Sequence, residues 1–509
     1  MSTTARPRVI RKQLGLVVLA GLAALSSGCM VGPDYVKPKA DTPESYKENA
    51  DWKLAEPQDH LPRGKWWEIF GDPQLTGYVE QVEISNQNVA IAEAQFRQAR
   101  ALVQAARSAY FPIVSVGASV QRSSPSTTLG TRPVQRGTLT DYSLPLDLTW
   151  ELDLWGKLRR GLESAQATAQ ASAADLEGVR LSAQAQLAQS YFQLRALDAD
   201  KQLLEQSAAA YEKTLTLTKN RYASGVASRS DVALAETQLR STQAQAIDVG
   251  VARAQFEHAI AILMGKPPSI FSIPPAPLTA LPPPVPAGIP SELLERRPDI
   301  AGAERRIAAA NAQIGVAKAA YYPTLTLGAS VGFETTDLAR WISYPSRFWS
   351  IGPALSETLF DAGLRRAQTD SARAAYDAGV ASYRQTVLTG FQEVEDNVAA
   401  LRILEREAEV QDAAVQAARQ SVVLITNQYK AGTVSYLDVV VAQAAALSNE
   451  RTAVDIQGRR ITASVLLIKA LGGGWMASDL PSNDDLASDK DLSKRADAAQ
   501  APAATTKPQ

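Results

Sequence analysis

The chain has 509 residues, of which 45% are hydrophobic, and a formal net charge of −1 at pH 7. This balance gives no electrostatic reason to expect a nucleic-acid partner. A single cysteine, Cys29, excludes an intrachain disulfide, and with only two histidines, His60 and His258, the sequence predicts no metal centre of the usual histidine and cysteine types.

The N-terminus has the pattern of an export signal. Basic residues precede an apolar run over residues 14–25, which is too short to span a membrane as a stable helix. Small residues then lead into Cys29, so residues 1–28 resemble a bacterial lipoprotein signal peptide and Cys29 resembles the residue that receives the lipid. Met30 follows, where a retention signal for the inner membrane commonly has aspartate, so the resemblance points to the outer membrane. The alternative is an ordinary cleaved signal with an incidental cysteine.

Four segments alternate apolar and polar residues, as strands with two different faces do. They are IVSVGASVQ (113–121), LPLDLTWELDL (144–154), TLTLGASVGF (324–333) and WSIGPALS (349–356). They have about the length that a tilted strand needs to cross the hydrocarbon of a membrane, and aromatic residues lie near their ends, as in an interfacial girdle. The alternative is four half-buried strands of a soluble sandwich.

Two stretches without proline, 146–266 and 354–480, predict long helices, because proline is the strongest helix breaker. In the first stretch, apolar residues recur at the three-four spacing of a coiled-coil seam. They are Leu187, Leu194, Leu197, Leu204, Ala208, Tyr211 and Leu215. A continuous helix over residues 159–222 would be about 95 Å long, which fits a span across a compartment better than a compact core.

Each long stretch is interrupted once by nearly the same turn, RYASGVASRSDV from Arg221 and QYKAGTVSYLDV from Gln428. Glycine tolerates the left-handed conformation that ends a helix, and Ser-x-x-Asp resembles a capping box, in which the two side chains bond backbone amides at the start of the next helix. The pattern therefore predicts two tight hairpins between long helices. The motif residues are Tyr222, Gly225, Ser228 and Asp231, and Tyr429, Gly432, Ser435 and Asp438.

The chain is an internal duplication, since AARSAYFPIVSVGASV and VAKAAYYPTLTLGASV are closely similar. We expect a mainly α protein with four strands, in which each half contributes a helix, a β-hairpin and a long helical hairpin. The predicted segments after the signal peptide are an N-terminal extended segment (29–75), the helix of repeat 1 (76–111), the first β-hairpin (112–155), the first long helical hairpin (156–266), a proline-rich connector at the waist of the molecule (267–298), the helix of repeat 2 (299–322), the second β-hairpin (323–360), the second long helical hairpin (361–471) and a disordered tail (472–509).

The end of the connector carries a group of charges, Arg296, Arg297 and Asp299, around Pro298. A ligand site is one interpretation. The pattern favours a helix start instead, because proline suits the first turn of a helix and an acidic residue there is stabilised by the helix dipole.

Four membrane strands cannot close a barrel by themselves. The smallest membrane barrels have about eight strands, and an open edge in lipid leaves backbone groups unpaired. A membrane-spanning sheet of this size must therefore pool its strands with identical copies.

Several motifs in a fixed order carry a family resemblance. They are GPDYVKP (32–38), WWEIFGDPQL (66–75), LLERRPDIAGAERRIAAANAQIGVAKAAYYP (293–323) and the two turns. The chain resembles the TolC-like outer membrane factors of tripartite efflux pumps, in particular the lipoprotein branch of the OprM/NodT type. The resemblance implies a homotrimer with a 12-stranded transmembrane β-barrel in outer-membrane lipid and a long α-helical barrel in the periplasm.

The function that the resemblance implies is a passive exit duct. It would carry drugs or other small molecules from a periplasmic membrane-fusion adaptor and an inner-membrane RND-type pump to the exterior. We expect no enzymatic activity and no cofactor other than the lipid on Cys29, because the sequence has no phosphate-binding loop and no persuasive nucleophile–base pair. The alternative function is a periplasmic coiled-coil scaffold lipoprotein, which leaves the alternating strands unexplained.

The two turns hold the residues that we expect to dock the adaptor. Small or apolar groups at an exposed turn let a partner hairpin pack without displacing much charge. These residues are Gly225, Val226, Ala227, Gly432, Thr433 and Val434.

The same tips are the expected gate of the duct. The resemblance implies that Tyr429 and Asp231 hold the helices inward. However, Val434 stands where some relatives have arginine, and Val441 where many have a pore-facing aspartate, so closure by apolar packing with Leu437 is the expectation. Salt does not screen such packing. The gate candidates are Asp231, Tyr429, Leu437, Asp438 and Val441, and for both aspartates a capping role alone is the alternative.

Overall fold

The structure, a computed structural model, describes residues 30–43, 45–49, 65–124, 138–283 and 293–487. Its α-helices are α1 (Pro73–Ser85), α2 (Gln87–Ser108), α3 (Lys157–Ala223), α4 (Arg229–Leu263), α5 (Leu293–Arg296), α6 (Pro298–Ala319), α7 (Leu364–Ala431), α8 (Tyr436–Ala470) and α9 (Asn483–Ala487). Its strands are β1 (Ile113–Val116), β2 (Ser119–Ser123), β3 (Leu139–Leu152), β4 (Thr324–Thr335) and β5 (Arg347–Ser356). The predicted mainly α class, with a small sheet and two long helical hairpins, is confirmed.

The two longest helices, α3 and α7, have 67 and 68 residues, so each is about 100 Å long. Each folds back into a return helix of 35 residues, α4 or α8. Of the seam predicted on α3, Leu187, Leu194, Leu204, Tyr211 and Leu215 are buried. This apolar stripe, more than intrinsic helix propensity, holds α3 against its neighbours. Among the described residues, no helix combines the length and the apolar character needed to cross a bilayer.

A shorter helix of the same repeat begins where each return helix ends. At the end of α4, Asn86 Nδ2 donates to the carbonyl oxygen of Leu263 at 2.7 Å. At the end of α8, Arg297 Nη1 donates to the carbonyl oxygen of Ala470 at 3.0 Å. The last carbonyl groups of a helix have no partner within that helix. Here Asn86, which precedes α2, and Arg297, which precedes α6, donate hydrogen bonds to such carbonyl groups of α4 and α8. Each repeat therefore has two columns of helix, which we call lanes. One is continuous, α3 or α7, and the other is jointed, α4 with α2 or α8 with α6.

The single helix predicted over 76–111 is corrected to two helices, α1 and α2. Asn86 separates them with an extended backbone, and its amide donates to Val82 O at 3.0 Å to end α1. Its side-chain oxygen then accepts from the amides of Asn88 and Val89 at 2.9 and 3.1 Å. Asn86 thus acts as the N-cap of α2, a position that asparagine favours.

The charged end of the connector begins a helix, as the sequence predicted: Pro298 is the first residue of α6 and Asp299 lies in its first turn. Arg297 bonds Asp299 and Glu393, each at 2.7 Å. Burial lowers the pKa of the Arg297 guanidinium, but the hydrogen bonds and charges of the two carboxylates outweigh burial and raise it. This group is therefore a structural ion pair that joins the connector to α7.

The described part of the connector, 267–283, is fixed to the first hairpin by two arginines. Arg195 donates to Pro274 O at 2.8 Å, and Arg253 to Ile273 O at 2.6 Å. Asp198 lies between the two guanidinium groups, at 3.1 and 2.6 Å. The connector therefore lies across the middle of α3 and α4.

The N-terminal segment after Met30 lies along the helices rather than standing free. The side chain of Arg160 bonds Asp34 at 2.9 Å, and Asn311 Nδ2 donates to Pro33 O at 2.9 Å. Further along, the amide of Lys47 donates to Glu395 at 2.7 Å. The segment thus connects the strand end of α3 and α6 with the middle of α7.

The tail predicted to be disordered from residue 472 is ordered as far as residue 487. Leu486 is buried against Ala99 and Val103 of α2, and the carbonyl oxygen of Ala487 accepts from Gln104 at 3.0 Å. One apolar side chain in an otherwise polar tail is enough to fix α9 on α2. Residues 488–509 lie outside the described part of the chain.

The strands form one antiparallel sheet in the order β1-β3-β4-β5, with β2 also paired to β3. The two repeats meet in it through β3 and β4. The first strand of the predicted hairpin over 112–155 is split into β1 and β2, opposite Pro145 of β3, which has no amide to donate to a ladder. Gly332 lies opposite Pro145 on the other side, and a Cβ there would come within 2.2 Å of Leu144 O.

Candidate functional site: the two-faced sheet and the hairpin tips

One face of the sheet is apolar across its strands. The register aligns Val116, Leu146, Val331 and Trp349 in a row, and these four side chains are exposed on the single chain. The next row continues the apolar face with Val114, Leu148, Ala329 and Ile351. An apolar surface of this extent marks a face that lipid or another protein covers.

The opposite face is polar and small. Its central row consists of Ser115, Asp147, Ser330 and Ser350, and the rows beside it include Gly328 paired with Gly352. Side chains of this size leave the space above the face open. The sheet therefore separates an apolar side from a side suited to water, as the alternation in the sequence predicted.

Aromatic side chains fix the boundary between the sheet and the helices. Trp150 Nε1 donates to Tyr110 O at 2.9 Å, and Trp155 Nε1 donates to Pro323 O at 2.8 Å. The rings of Trp155 and Tyr322 stack with their centres 4.8 Å apart. Tryptophan and tyrosine are enriched where a protein passes from hydrocarbon to water.

The lipidation candidate, Cys29, lies outside the described residues. The position of the chain just after Cys29 is defined by a hydrogen bond, in which the amide of Val31 donates to Trp155 O at 3.0 Å. The segment next to Cys29 therefore lies at the boundary between sheet and helices.

The two turns at the other end of the helices have the predicted chemistry. Gly225 and Gly432 adopt φ values of +72° and +81°, the left-handed region. In the first turn, Asp231 accepts from the amide of Ser228 at 2.9 Å and Ser228 Oγ accepts from the amide of Asp231 at 3.1 Å. In the second turn, the amide of Ser435 donates to Asp438 at 3.0 Å. Capping by both aspartates is confirmed.

The predicted docking residues lie at or beside these turns. Gly225, Val226, Gly432 and Thr433 are exposed, whereas Ala227 and Val434 are half-buried. Val434 packs against the apolar core that α3, α4, α7 and α8 form near the tips. That core includes Leu215, Leu239, Tyr429, Tyr436 and Val439.

A pair of buried tyrosines lies at the centre of the tip region. Tyr429, at the end of α7, and Tyr436, at the start of α8, are 4% and 2% exposed and meet edge to face with ring centres 5.4 Å apart. Burial raises the pKa of the Tyr436 hydroxyl to about 12, and the charges of Tyr429, Tyr211 and Asp231 add to the effect.

The resemblance implied that Tyr429 and Asp231 hold the helices inward, and within the described residues of the single chain these two side chains are not bonded to each other. Among the described residues, the hydroxyl of Tyr429 has no hydrogen-bond partner. The carboxylate of Asp231 caps α4 instead. The ring of Tyr429 contacts Arg221, whose guanidinium carbon lies 4.7 Å from the ring centre.

The apolar gate candidates lie on the free side of α8. Leu437 and Val441, one helical turn apart, are 54% and 61% exposed on the single chain. Asp438, between them in sequence, bonds Ser435. The exposed side of the turn between α7 and α8, which we call tip 2, therefore presents two apolar side chains beside the Asp438 carboxylate that caps α8.

Sequence reasoning missed two residues of this region, Arg221 and Tyr436. Both stand in the quoted turn motifs, in RYASG and in VSYLD. A cation next to the last turn of a helix is a common feature, so nothing in the local sequence indicated that Arg221 reaches the other hairpin.

The described residues offer little for a bound cofactor. They contain no group of three or more histidine, cysteine, aspartate or glutamate side chains placed to hold a metal ion. A cleft of about 700 Å³ lies beside α2, α3 and the start of α6. Its charged residues include Arg297, which bonds both Asp299 and Glu393, and Asp175, which bonds Arg306.

Known proteins similar to this chain share its length and architecture. Residues 78–266 and 289–473 match the family model of the outer membrane efflux proteins. The probable efflux pump outer membrane protein TtgC of Pseudomonas putida is 30% identical over 463 residues, which cover 90% of this chain and 96% of TtgC. The solvent efflux pump outer membrane protein SrpC of Pseudomonas putida is 32% identical over 463 residues, covering 89% of this chain and 96% of SrpC.

Solved structures agree with these relatives. The outer-membrane channel OprN superposes with a TM-score of 0.80 at 32% identity, over 88% of this chain and 100% of OprN. The outer membrane protein VceC of Vibrio cholerae superposes with a TM-score of 0.76 at 29% identity, over 81% of this chain and 99% of VceC. The resemblance seen in the sequence motifs is confirmed: the chain belongs to the outer membrane efflux protein family and is an outer-membrane efflux channel.

Proposed function

We propose that three copies of this chain assemble into one passive exit duct for drugs or other small molecules. The observation that carries the proposal is the sheet, which has an apolar face, a polar face and two unpaired outer edges, at β1/β2 and β5, in the described chain. Unpaired edges in hydrocarbon cost several kcal/mol per backbone group, so the sheet must close with other copies. With β1 and β2 counted as one interrupted strand, three copies give a closed barrel of 12 strands.

The helices extend this duct away from the membrane. Each copy contributes two continuous lanes, α3 and α7, and two jointed lanes, α4 with α2 and α8 with α6. Helices of about 100 Å form a wall long enough to reach far into the periplasm. The lanes end at the two turns, where the wall converges and where the duct closes.

Closure depends on apolar side chains in this proposal. Leu437 and Val441 face the pore from tip 2, and Val434 packs behind them against the tip core. Three copies place six apolar side chains around the narrowest point. A ring of this kind excludes water and ions by dewetting, and salt does not screen the apolar contacts that close it.

Partners complete the pump. A periplasmic membrane-fusion adaptor docks on Gly225, Val226, Ala227, Gly432, Thr433 and Val434 and connects the duct to an inner-membrane RND-type pump, which supplies the energy. Photocrosslinkers at Val226 and Thr433 are expected to capture this adaptor in intact cells, whereas one at the exposed Lys157, at the opposite end of α3, is not. Equal capture from all three positions would contradict docking at the tips.

Lipid on Cys29 anchors each copy beside the barrel. An acyl chain contributes about 0.8 kcal/mol per buried CH₂, while the barrel itself already holds the trimer in the membrane. Replacing Cys29 with serine, behind an ordinary signal peptide, should leave most of the export intact. Loss of trimers from the outer membrane would contradict this role.

The decisive experiment uses protein extracted from the outer membrane. We expect a trimer that survives mild detergent and dissociates on heating in electrophoresis, and single channels in planar bilayers. A monomer without conductance would favour the alternative, a periplasmic coiled-coil scaffold lipoprotein, which gives no reason for a sheet with one apolar and one polar face.

A further inference from the structure

One side chain connects the tips of the two repeats. Arg221 belongs to the last turn of α3, in the first hairpin. Its guanidinium carbon lies 4.7 Å from the ring centre of Tyr429, in the last turn of α7, and its Nη1 donates to Lys430 O at 3.1 Å. A single residue of repeat 1 thus makes two contacts with consecutive residues of repeat 2.

The chemistry of this contact suits arginine in particular. Lys430 is next to the last residue of α7, where carbonyl groups have no partner within the helix and the helix dipole is negative. A planar guanidinium can cover the ring of Tyr429 and point one N–H at that carbonyl in the same conformation. The ammonium group of lysine can approach the carbonyl but cannot stack on the ring.

The side chain of Tyr429, whose ring Arg221 covers, makes no hydrogen bond with the described residues. Tyr429 is 4% exposed, and its hydroxyl has no hydrogen-bond partner among the described residues. Its other neighbour is Tyr436, which begins the return helix of the same hairpin. Beside the apolar packing of the tip core, the polar link that the described residues form between the two hairpins at this height is therefore the contact with Arg221. The next polar links, from Tyr211 to Gln443 O at 3.3 Å and from Arg451 to Asp200 at 2.8 Å, lie further up the helices.

We propose that Arg221 is a clasp that holds the two hairpins of one copy together and so positions the gate residues of tip 2. Separating the hairpins breaks the ring contact and the carbonyl bond at once, because both depend on one guanidinium. The clasp engages Tyr429, one of the two residues that the resemblance assigned to closing the tip. This role rests on the proposed duct: Arg221 is a positioning residue, and Leu437 and Val441 are the side chains that it holds in place.

The test is the conductance of purified trimers in planar bilayers. Arg221→Gln is expected to raise the mean conductance about tenfold, since it removes both contacts in three copies. Arg221→Lys keeps the charge and should fall between Arg221→Gln and the parent protein. Arg229→Gln, which removes an exposed arginine on the other side of the same turn, is the matched control and should conduct like the parent protein.

A double variant separates a shared contact from general damage. Tyr429→Leu removes the ring contact but leaves the bond to Lys430 O, so alone it should raise the conductance less than Arg221→Gln does. The two together should conduct no more than Arg221→Gln alone, because that variant already removes the ring contact. Heat-modifiable trimers serve as the assembly control, and Arg221→Lys keeps the test decisive if Arg221→Gln fails to assemble. The clasp would be overturned, and the duct left intact, by one result. In that result the parent channel conducts, but the Arg221→Gln or Arg221→Lys channel conducts no more than the Arg229→Gln channel. A parent trimer that never conducts would overturn the duct, and the clasp with it.

Discussion

The turn between α3 and α4 (tip 1) and the turn between α7 and α8 (tip 2) share one motif but differ in the side chains around it. Tyr222 and Tyr429 occupy the same motif position, yet Tyr222 is 48% exposed and Tyr429 only 4%. One position after the capping serine, tip 1 has the exposed Arg229 and tip 2 has the buried Tyr436. Duplication thus preserved the turn, while the side chains around it diverged into an exposed tip and a packed tip.

The difference teaches that the repeats are not interchangeable at the gate. Tip 2 carries the exposed apolar pair Leu437 and Val441, and tip 1 has Ser230 and Leu234 at the corresponding positions. At these two positions tip 2 therefore has two exposed apolar side chains, and tip 1 has one. In the proposed trimer, tip 2 lines the pore and tip 1 holds it in place through Arg221.

The largest effect should come from truncating the buried aromatic pair. Tyr436→Ala is expected to lower the local stability of tip 2 by about 3 kcal/mol, as large-to-small changes in a core do. Tyr222→Ala, which removes the exposed tyrosine of tip 1, should change the local stability of that tip by less than about 0.5 kcal/mol. Hydrogen exchange of the tip peptides measures both values, and equal losses at the two tips would contradict the asymmetry.

A pH effect of somewhat smaller size should be confined to tip 2. The pKa of Tyr436 is raised from 10.0 to about 12 in the folded protein, so folding favours the neutral hydroxyl. The stability that this gives is complete below pH 10 and is lost as the pH rises from 10 through 12. The protection of the tip 2 amides, taken relative to their intrinsic base-catalysed exchange rates, should therefore fall over that range in the parent protein, and the fall should be smaller in Tyr436→Phe. An unchanged pH profile in the variant would show that Tyr436 is not the titrating group.

Substitution of Gly225 and of Gly432 should have equal effects, in contrast to substitution of the tyrosines at the two tips. No atom outside the turn lies within 4 Å of a Cβ built on Gly225 or Gly432, and both have positive φ. Gly225→Ala and Gly432→Ala should each cost about 1 kcal/mol, from backbone conformation alone. Exchange rates at the turns provide the measurement. A cost several times larger at one turn would mean that a neighbour constrains that turn.

The smallest effects should come from the residues of the latch that the resemblance implied. Tyr429→Phe removes a hydroxyl that has no partner among the described residues, so it should leave conductance unchanged and stability equal or slightly higher. Asp231→Asn weakens a helix cap at a cost of about 1 kcal/mol and should not open the channel. A several-fold rise in single-channel conductance in either variant would restore a polar latch.

The sequence was sufficient wherever the decisive contacts are local. Positive φ at Gly225 and Gly432, the caps by Asp231 and Asp438, and the two-faced strands all follow from residues within a few positions of one another. Pro298 at the start of α6 belongs to the same group.

Features that depend on contacts between residues far apart in the chain could not be predicted from the sequence. The burial of Tyr429 is set by helices of both repeats, and the opposite exposure of Tyr222 cannot be read from an identical motif. Leu486 orders part of the tail only because α2 lies beside it. The interruption at Asn86 had a local signal, an N-cap residue inside a helical pattern, but its partner Leu263 O is far along the chain.

The central claim, that apolar side chains of tip 2 line the narrowest part of the duct, is tested most directly by ion selectivity. Single-channel reversal potentials of Val441→Asp in a salt gradient should shift toward cation selectivity, because three carboxylates then surround the pore. Leu234→Asp, at the corresponding position of tip 1, should leave the reversal potential of the parent channel unchanged. An unchanged reversal potential in Val441→Asp, or an equal shift in Leu234→Asp, would contradict the account.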